Sequence, residues 1–190
     1  MMTMDSMRPL PPEVVELLRG QDAPPRLLAH LLLVHDVAAR LVEASRRVWP
    51  RLRFDENAVL IGAATHDIGK VLYPEEIIGL GEAHTAAGED LLLRSGFPPT
   101  QARFARTHAT WQDEPDPTLE DLLVALADEL WRGERNQALE AALTDDIVAA
   151  IEDAPWAVYM DLDDIATELA QQGPARMQWL TQFPAERQER

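Results

Sequence analysis

The chain alternates between stretches with a 3.6-residue apolar period and short breaks rich in proline and glycine, and strand-like alternation is scarce. Pro11-Pro12 opens a short amphipathic piece, with Val14, Val15, Leu17 and Leu18 on its apolar side, and Gly20 closes it. Pro24-Pro25 opens a second helix reaching about residue 48, where Trp49-Pro50 ends it. Its buried stripe is Leu27, Leu31, Val34, Ala38 and Leu41, and His35 lies beside that stripe. Asp55 is placed to N-cap a third helix over residues 56 to 68. Gly62, Ala63 and Ala64 would let a neighbour approach it closely, and Gly69 suits the C′ position.

The second half continues in the same way. Residues 73 to 81 read as a loop with at most one turn, and residues 82 to 95 as a fourth helix. Gly96-Phe97-Pro98-Pro99 is a turn, after which Thr100 N-caps a fifth helix. An acidic, proline-punctuated loop over residues 113 to 117 leads to Thr118, which with Asp121 resembles a capping box and starts a sixth helix. Two further helices follow, over residues 136 to 152 and 155 to 171. Pro174 starts a last short one, and the charged tail from residue 185 to 190 is expected to fray. The expectation is an all-α, single-domain helical bundle. It has an N-terminal extension over residues 1–23, a core over 24–135, and a C-terminal region over 136–190 packed on the same domain.

Composition narrows the function classes. At 190 residues with 46% hydrophobic residues, the chain is long enough for one well-buried core. It has no cysteine, which excludes disulfides, a cysteine nucleophile and thiolate-ligated metals. Seventeen basic against 33 acidic residues leave a formal charge of −16, so a nucleic-acid polymer is a disfavoured partner and a small phosphorylated metabolite is not. The densest basic stretch holds only Arg46, Arg47, Arg51 and Arg53. The first eight residues lack the pattern of a secretory signal, and apolar runs such as residues 31–34 are too short to span a bilayer. A cytoplasmic protein with no membrane partner is expected, and a homodimer is compatible with the sequence.

The candidate chemistry lies in six residues that occur in order: His35, His66-Asp67, His84, His108 and Asp128. Imidazole nitrogens and carboxylate oxygens together suit a divalent metal that activates water. Each residue has an ordinary alternative. His35 could sit at a helix seam, and His66 could serve the negative end of its helix. Asp67 fits that end poorly, and a nearby cation would explain it. His84 falls in a first helical turn, where a positive ring is disfavoured. Asp128 follows the apolar run Leu122-Leu123-Val124-Ala125-Leu126-Ala127, where a lone carboxylate is costly. Spacing alone leaves open whether the six converge.

The string Ala64-Thr65-His66-Asp67-Ile68-Gly69-Lys70, with an upstream His and a downstream Asp, resembles the HD-domain superfamily of metal-dependent phosphohydrolases over roughly residues 25 to 135. The resemblance implies a first metal held by His35, His66, Asp67 and Asp128. It implies a second held by His84 and His108, with Asp67 bridging both. It gives Lys70 a place in catalysis beside Asp67, as the contact to substrate phosphate, and it matches His84 to Gly88 with a His-x-x-x-Gly segment. The implied cofactor is one or two ions of Mn, Fe, Ni, Co or Zn, and the implied reaction is attack of metal-activated water on a phosphate ester or anhydride. The cyclic-di-GMP branch carries a second histidine and a Gly-Tyr-Pro segment, but Ala109 follows His108 here and no Gly-Tyr-Pro occurs. The chain is more similar to the compact bacterial branch that hydrolyses dinucleoside polyphosphates.

Arg103, Arg106 and Trp111 complete the substrate-binding candidates, with Gln112 beside them; core packing is the ordinary alternative for the tryptophan and a surface position for the arginines. Three functional classes follow. The first is a phosphohydrolase or phosphodiesterase acting on a nucleotide or similar small compound. The second is a non-catalytic metal- or nucleotide-binding signalling module of the same fold. The third is a structural helical protein with incidental histidines.

Overall fold

The computed structural model describes residues 7–186 and contains no strand among them. The expected fraying tail falls mostly on residues 187–190, outside that range. Ten α-helices follow in order: α1 (Pro12–Gly20), α2 (Pro25–Val48), α3 (Glu56–Thr65), α4 (Ala83–Arg94), α5 (Pro99–Ala102), α6 (Phe104–Thr110), α7 (Leu119–Leu130), α8 (Gln137–Ile151), α9 (Pro155–Ala170) and α10 (Gly173–Leu180). The all-α expectation holds.

Local chemistry sets most boundaries. Proline occupies the first turn of α1, α2, α5, α9 and α10, where its missing N–H costs nothing. Asp55 accepts from the Ala58 N–H at 2.9 Å and starts α3. Thr118 and Asp121 close the full capping box of α7, and Asn136 caps α8. Two boundaries differ from the sequence expectation. Thr100 lies inside α5, because the extended Pro98 ends the preceding turn and Pro99 is already helical; a break at Arg103 then separates α5 from α6. The helix ending in the His-Asp doublet also stops earlier, at Thr65, and a 3-10 turn over Ile68–Val71 follows. Gly69 sits inside that turn rather than serving as a left-handed C′ residue.

α2 is the central element. It packs against α3, α7, α9 and α10, and it is buried almost all round from Leu31 to Ala39. α4 lies on the Ile68–Val71 turn and on α6, while α8 joins α7 to α9. One hydrophobic cluster runs from Met7 to Leu180 and takes in residues from α1 through α10. Among the described residues, no helix is long and apolar enough to cross a membrane.

Candidate metal centre

Five elements converge on Asp67. The carboxylate is buried at the junction between α3 and the Ile68–Val71 turn. Its two oxygens face different partners. Oδ2 lies 2.9 Å from His30 Nε2 and 3.6 Å from His66 Nε2. Oδ1 lies 3.1 Å from His84 Nε2 and 3.7 Å from His108 Nε2. Asp128 closes the first side, with Oδ1 3.2 Å from His66 Nε2 and 3.7 Å from His30 Nε2. Lys70 Nζ donates to Asp67 Oδ2 at 2.5 Å.

Three of the rings are held from behind. His66 Nδ1 is 3.0 Å from the Ala63 carbonyl, and His108 Nδ1 is 3.1 Å from that of Phe104. A carbonyl only accepts, so Nδ1 carries the proton and Nε2 presents its lone pair inward. His84 is held more tightly, with Nδ1 2.6 Å from Glu76 Oε2. The same carboxylate accepts the Ala83 and His84 backbone N–H groups at the start of α4. Glu76 therefore fixes both the helix end and the ring.

The position of α4 depends on glycine. A Cβ on Gly69 would overlap the His84 backbone carbonyl, and one on Gly88 would press on Gly69 and Ala105. The two glycines let α4 close on the turn that carries Asp67, and this brings His84 to its other oxygen.

The electrostatics favour the ligating forms of four donors, with Asp67 and Asp128 ionised and His30 and His108 neutral. Burial raises the cost of a charged Asp67, but the His66 ring and the close approach of His30 and His84 outweigh it, and its pKa falls well below the ordinary value. Asp128 is lowered in the same way, with His66 beside it outweighing burial. Burial lowers His30 despite Asp67, while His108 falls to about 4 through burial and the charge of His66. His66 moves the other way, because Asp128 and Asp67 overcome its burial.

The residues fit a divalent metal. His30, His66 and Asp128 form one group whose donor atoms lie within 4.8 Å of one another, and His66, Asp67 and His108 form another. Ligands about 2.1 Å from a shared ion stand roughly 3.0–3.5 Å apart, which is the spacing of the shorter contacts here. His84 Nε2 is buried without a hydrogen-bond partner among the described residues and faces the Asp67 oxygen. A buried acceptor in that state calls for a Lewis acid.

Compared with known protein families, residues 27–133 match the HD domain. The chain belongs to the HD-domain family. HD domains are generally hydrolases and typically bind divalent metals. No solved structure matches the chain.

The HD centre brings together His66, Asp67, His84, His108 and Asp128, with Lys70 at its edge, and corrects one expected ligand. His35 is not there: its Nδ1 bonds the Leu60 carbonyl at 3.0 Å on another side of α2. His30 takes the place. The two are five residues apart, about 140° round a helix, and α2 is buried on nearly every side, so an apolar stripe does not distinguish them. Their one sequence signal is that both lie on the helix upstream of the doublet.

Arg103 and Arg106 also stand elsewhere. Arg103 Nη2 pairs with the fully buried Asp121 at 2.8 Å, and Arg106 is held by Glu89 and Glu114. His108 lies two positions beyond Arg106, about 200° round the helix, and so faces the opposite way. Trp111 does line the cleft beside His84 and His108, together with Gln112. Arg132, one turn beyond Asp128, and Arg26 also border the site, and the sequence reading passed over both.

Proposed function

We propose that this HD-domain protein hydrolyses a phosphate ester or anhydride of a nucleotide or similar small phosphorylated compound, with one or two divalent ions as cofactor. The observation that carries the reading is the divided environment of Asp67, whose two oxygens each face a separate pair of inward-turned imidazoles. A divalent metal held there supplies Lewis acidity, polarising a phosphoryl oxygen and making water a stronger nucleophile. The ammonium of Lys70 lines both the cleft beside His84 and His108 and a second one bordered by Arg26 and His30, and it neutralises charge on the phosphoryl oxygens. The His66, His84 and His108 side chains orient from behind through Ala63, Glu76 and Phe104, so no ring must reorganise as charge develops. In the reaction a water oxygen bonds to phosphorus, the ester P–O bond breaks, and one water proton ends on the leaving oxygen.

The test is a turnover screen of the Mn²⁺-loaded protein against nucleoside phosphates, cyclic and dinucleotides, dinucleoside polyphosphates and non-nucleotide phosphoesters, run beside Asp67→Asn. Metal-dependent turnover in the wild type, lowered by about 10³-fold or more in the variant at unchanged helicity, is expected. Full activity in Asp67→Asn removes the mechanism. Bound metal with no turnover, including with Ni²⁺, Co²⁺ and Fe²⁺, would instead favour a non-catalytic binding module.

A further inference from the structure

The outer face of α9 leaves large apolar side chains in solvent. Trp156, Tyr159 and Met160 are 73%, 51% and 50% exposed. They stand at the i, i+3 and i+4 spacing that puts side chains on one face of a helix. The opposite face is buried in the core through Val158, Leu162, Ile165, Ala166 and Leu169. A single apolar residue in water needs no explanation, but three adjoining ones do, and Trp, Tyr and Met are types that interfaces favour. No residue of α9 lines the clefts at the metal centre.

We propose that this face is the docking site for a basic amphipathic helix of another protein. Apolar side chains of that helix cover Trp156, Tyr159 and Met160, and its lysines or arginines meet the carboxylates beside them. The proposal does not depend on the phosphohydrolase reading.

Charge decides the partner. Residues 136 to 175 hold nine Asp and Glu and no Lys or Arg, so more than half of the net charge of −16 sits there. Asp164 follows Met160 by one helical turn, and neither it nor Asp161 is in an ion pair among the described residues. The cations that border α9 are engaged. Arg135 donates to Asp163 and Thr167 of α9 and to Glu140 of α8, each at 2.7 Å, and Arg51 lies 3.8 Å from Asp153. On α8 the pKa of Asp146 is pushed up by burial and by the charges of Asp116 and Asp145, a sign of crowded carboxylates. A second copy would set this acidic surface against itself, and anionic lipid or nucleic acid would be repelled as well. A cationic segment gains where each of those loses.

The face is also preformed. Glu152, left-handed at φ 55°, turns the chain out of α8, and Pro155 starts α9 at once. The buried side of α9 and the Arg135 bridge to α8 then fix its rotation, so little ordering opposes binding. The exposed row is a convex ridge rather than a groove, and the partner that matches it is another helix, whose own rows of side chains leave grooves at the same spacing. The aromatic anchors supply affinity, and the carboxylates supply orientation and a fast encounter.

The test measures fluorescence anisotropy of three labelled probes with the full chain loaded with Mn²⁺. The probes are an amphipathic peptide of leucine and lysine at helical spacing, its leucine–glutamate counterpart, and an oligolysine of matching charge. The leucine–lysine peptide is expected to bind about tenfold or more tighter than either of the others. Trp156→Ser and Tyr159→Ser should each weaken it by about tenfold at unchanged melting temperature, since neither side chain belongs to the core. Leu93→Ser, on the exposed side of α4, should leave it unchanged. Asp161→Asn combined with Asp164→Asn should weaken it by about threefold at low salt and flatten its salt dependence. No binding of the leucine–lysine peptide, equal binding of either other probe, or binding that survives both serine substitutions overturns the proposal. So does a dimer in sedimentation that Trp156→Ser dissociates, because the face then belongs to a second copy. Trp156-dependent binding to phosphatidylcholine vesicles overturns it too, in favour of a lipid surface.

Discussion

His30 and His35 share a helix and a side-chain chemistry, yet one faces two carboxylates and the other a backbone carbonyl. His30→Ala should lower metal affinity by about 100-fold or more, read by metal content after dialysis. His35→Ala should keep its metal and lose about 2–3 kcal/mol of stability through the lost hydrogen bond and the cavity. Equal metal loss in both would refute the placement. Protonation gives a second prediction at this scale, for chelator-treated protein. His108 ionises near 4 in the fold and near 6.5 unfolded, so between those values the unfolded chain binds the extra proton and stability rises with pH. His30 and His35, both lowered, act in the same direction, and only His66, raised, opposes them. Denaturation midpoints should therefore fall from pH 7 to pH 5, by about 1–2 kcal/mol for one such histidine. A midpoint that rises on acidification would show His66 to dominate.

Among the elements, the contact between α4 and the Ile68–Val71 turn is the one on which the centre turns. Gly69→Ala places a methyl group against the His84 backbone, which cannot yield as a flexible side chain can. A loss of about 2–3 kcal/mol is expected together with weaker metal binding, since the helix carrying His84 must move. An unchanged melting temperature would mean that the helix shifts freely. Most elements were legible beforehand, because prolines, caps and the apolar period act locally: Asp55, the Thr118–Asp121 box, Pro25 and Pro155 lie where their chemistry predicts. The boundary at Thr65 and the 3-10 turn after it were not. They answer to the approach of α4, which no local pattern encodes.

For the whole molecule, the helices after residue 135 join the core instead of extending from it, and Arg176 on α10 is the largest of the fully buried side chains among the described residues. Burial pushes its pKa down to about 10, which still leaves it charged at neutral pH. Among the described residues its guanidinium donates only to carbonyls near the ends of α7 and α9, where a cation also suits the helix dipole. Arg176→Met should cost about 1–3 kcal/mol in denaturant unfolding while metal content is kept. Lost metal would instead show that the fixing of α10 reaches Asp128.

The sequence by itself determined most of the helices, the burial of the core and, apart from the histidine of α2, the residues gathered around the His-Asp doublet. These follow from periodicity, capping chemistry and residue type, all readable within a few positions. Only the tertiary structure decided which histidine of α2 joins the others. It also turned Arg103 and Arg106 toward Asp121, Glu89 and Glu114, set Glu76 behind His84, and placed two clefts around Asp67. The physical reason is common to all of these. A residue's chemistry is local, but the direction it faces depends on helix rotation and crossing. Packing against elements distant in sequence fixes both.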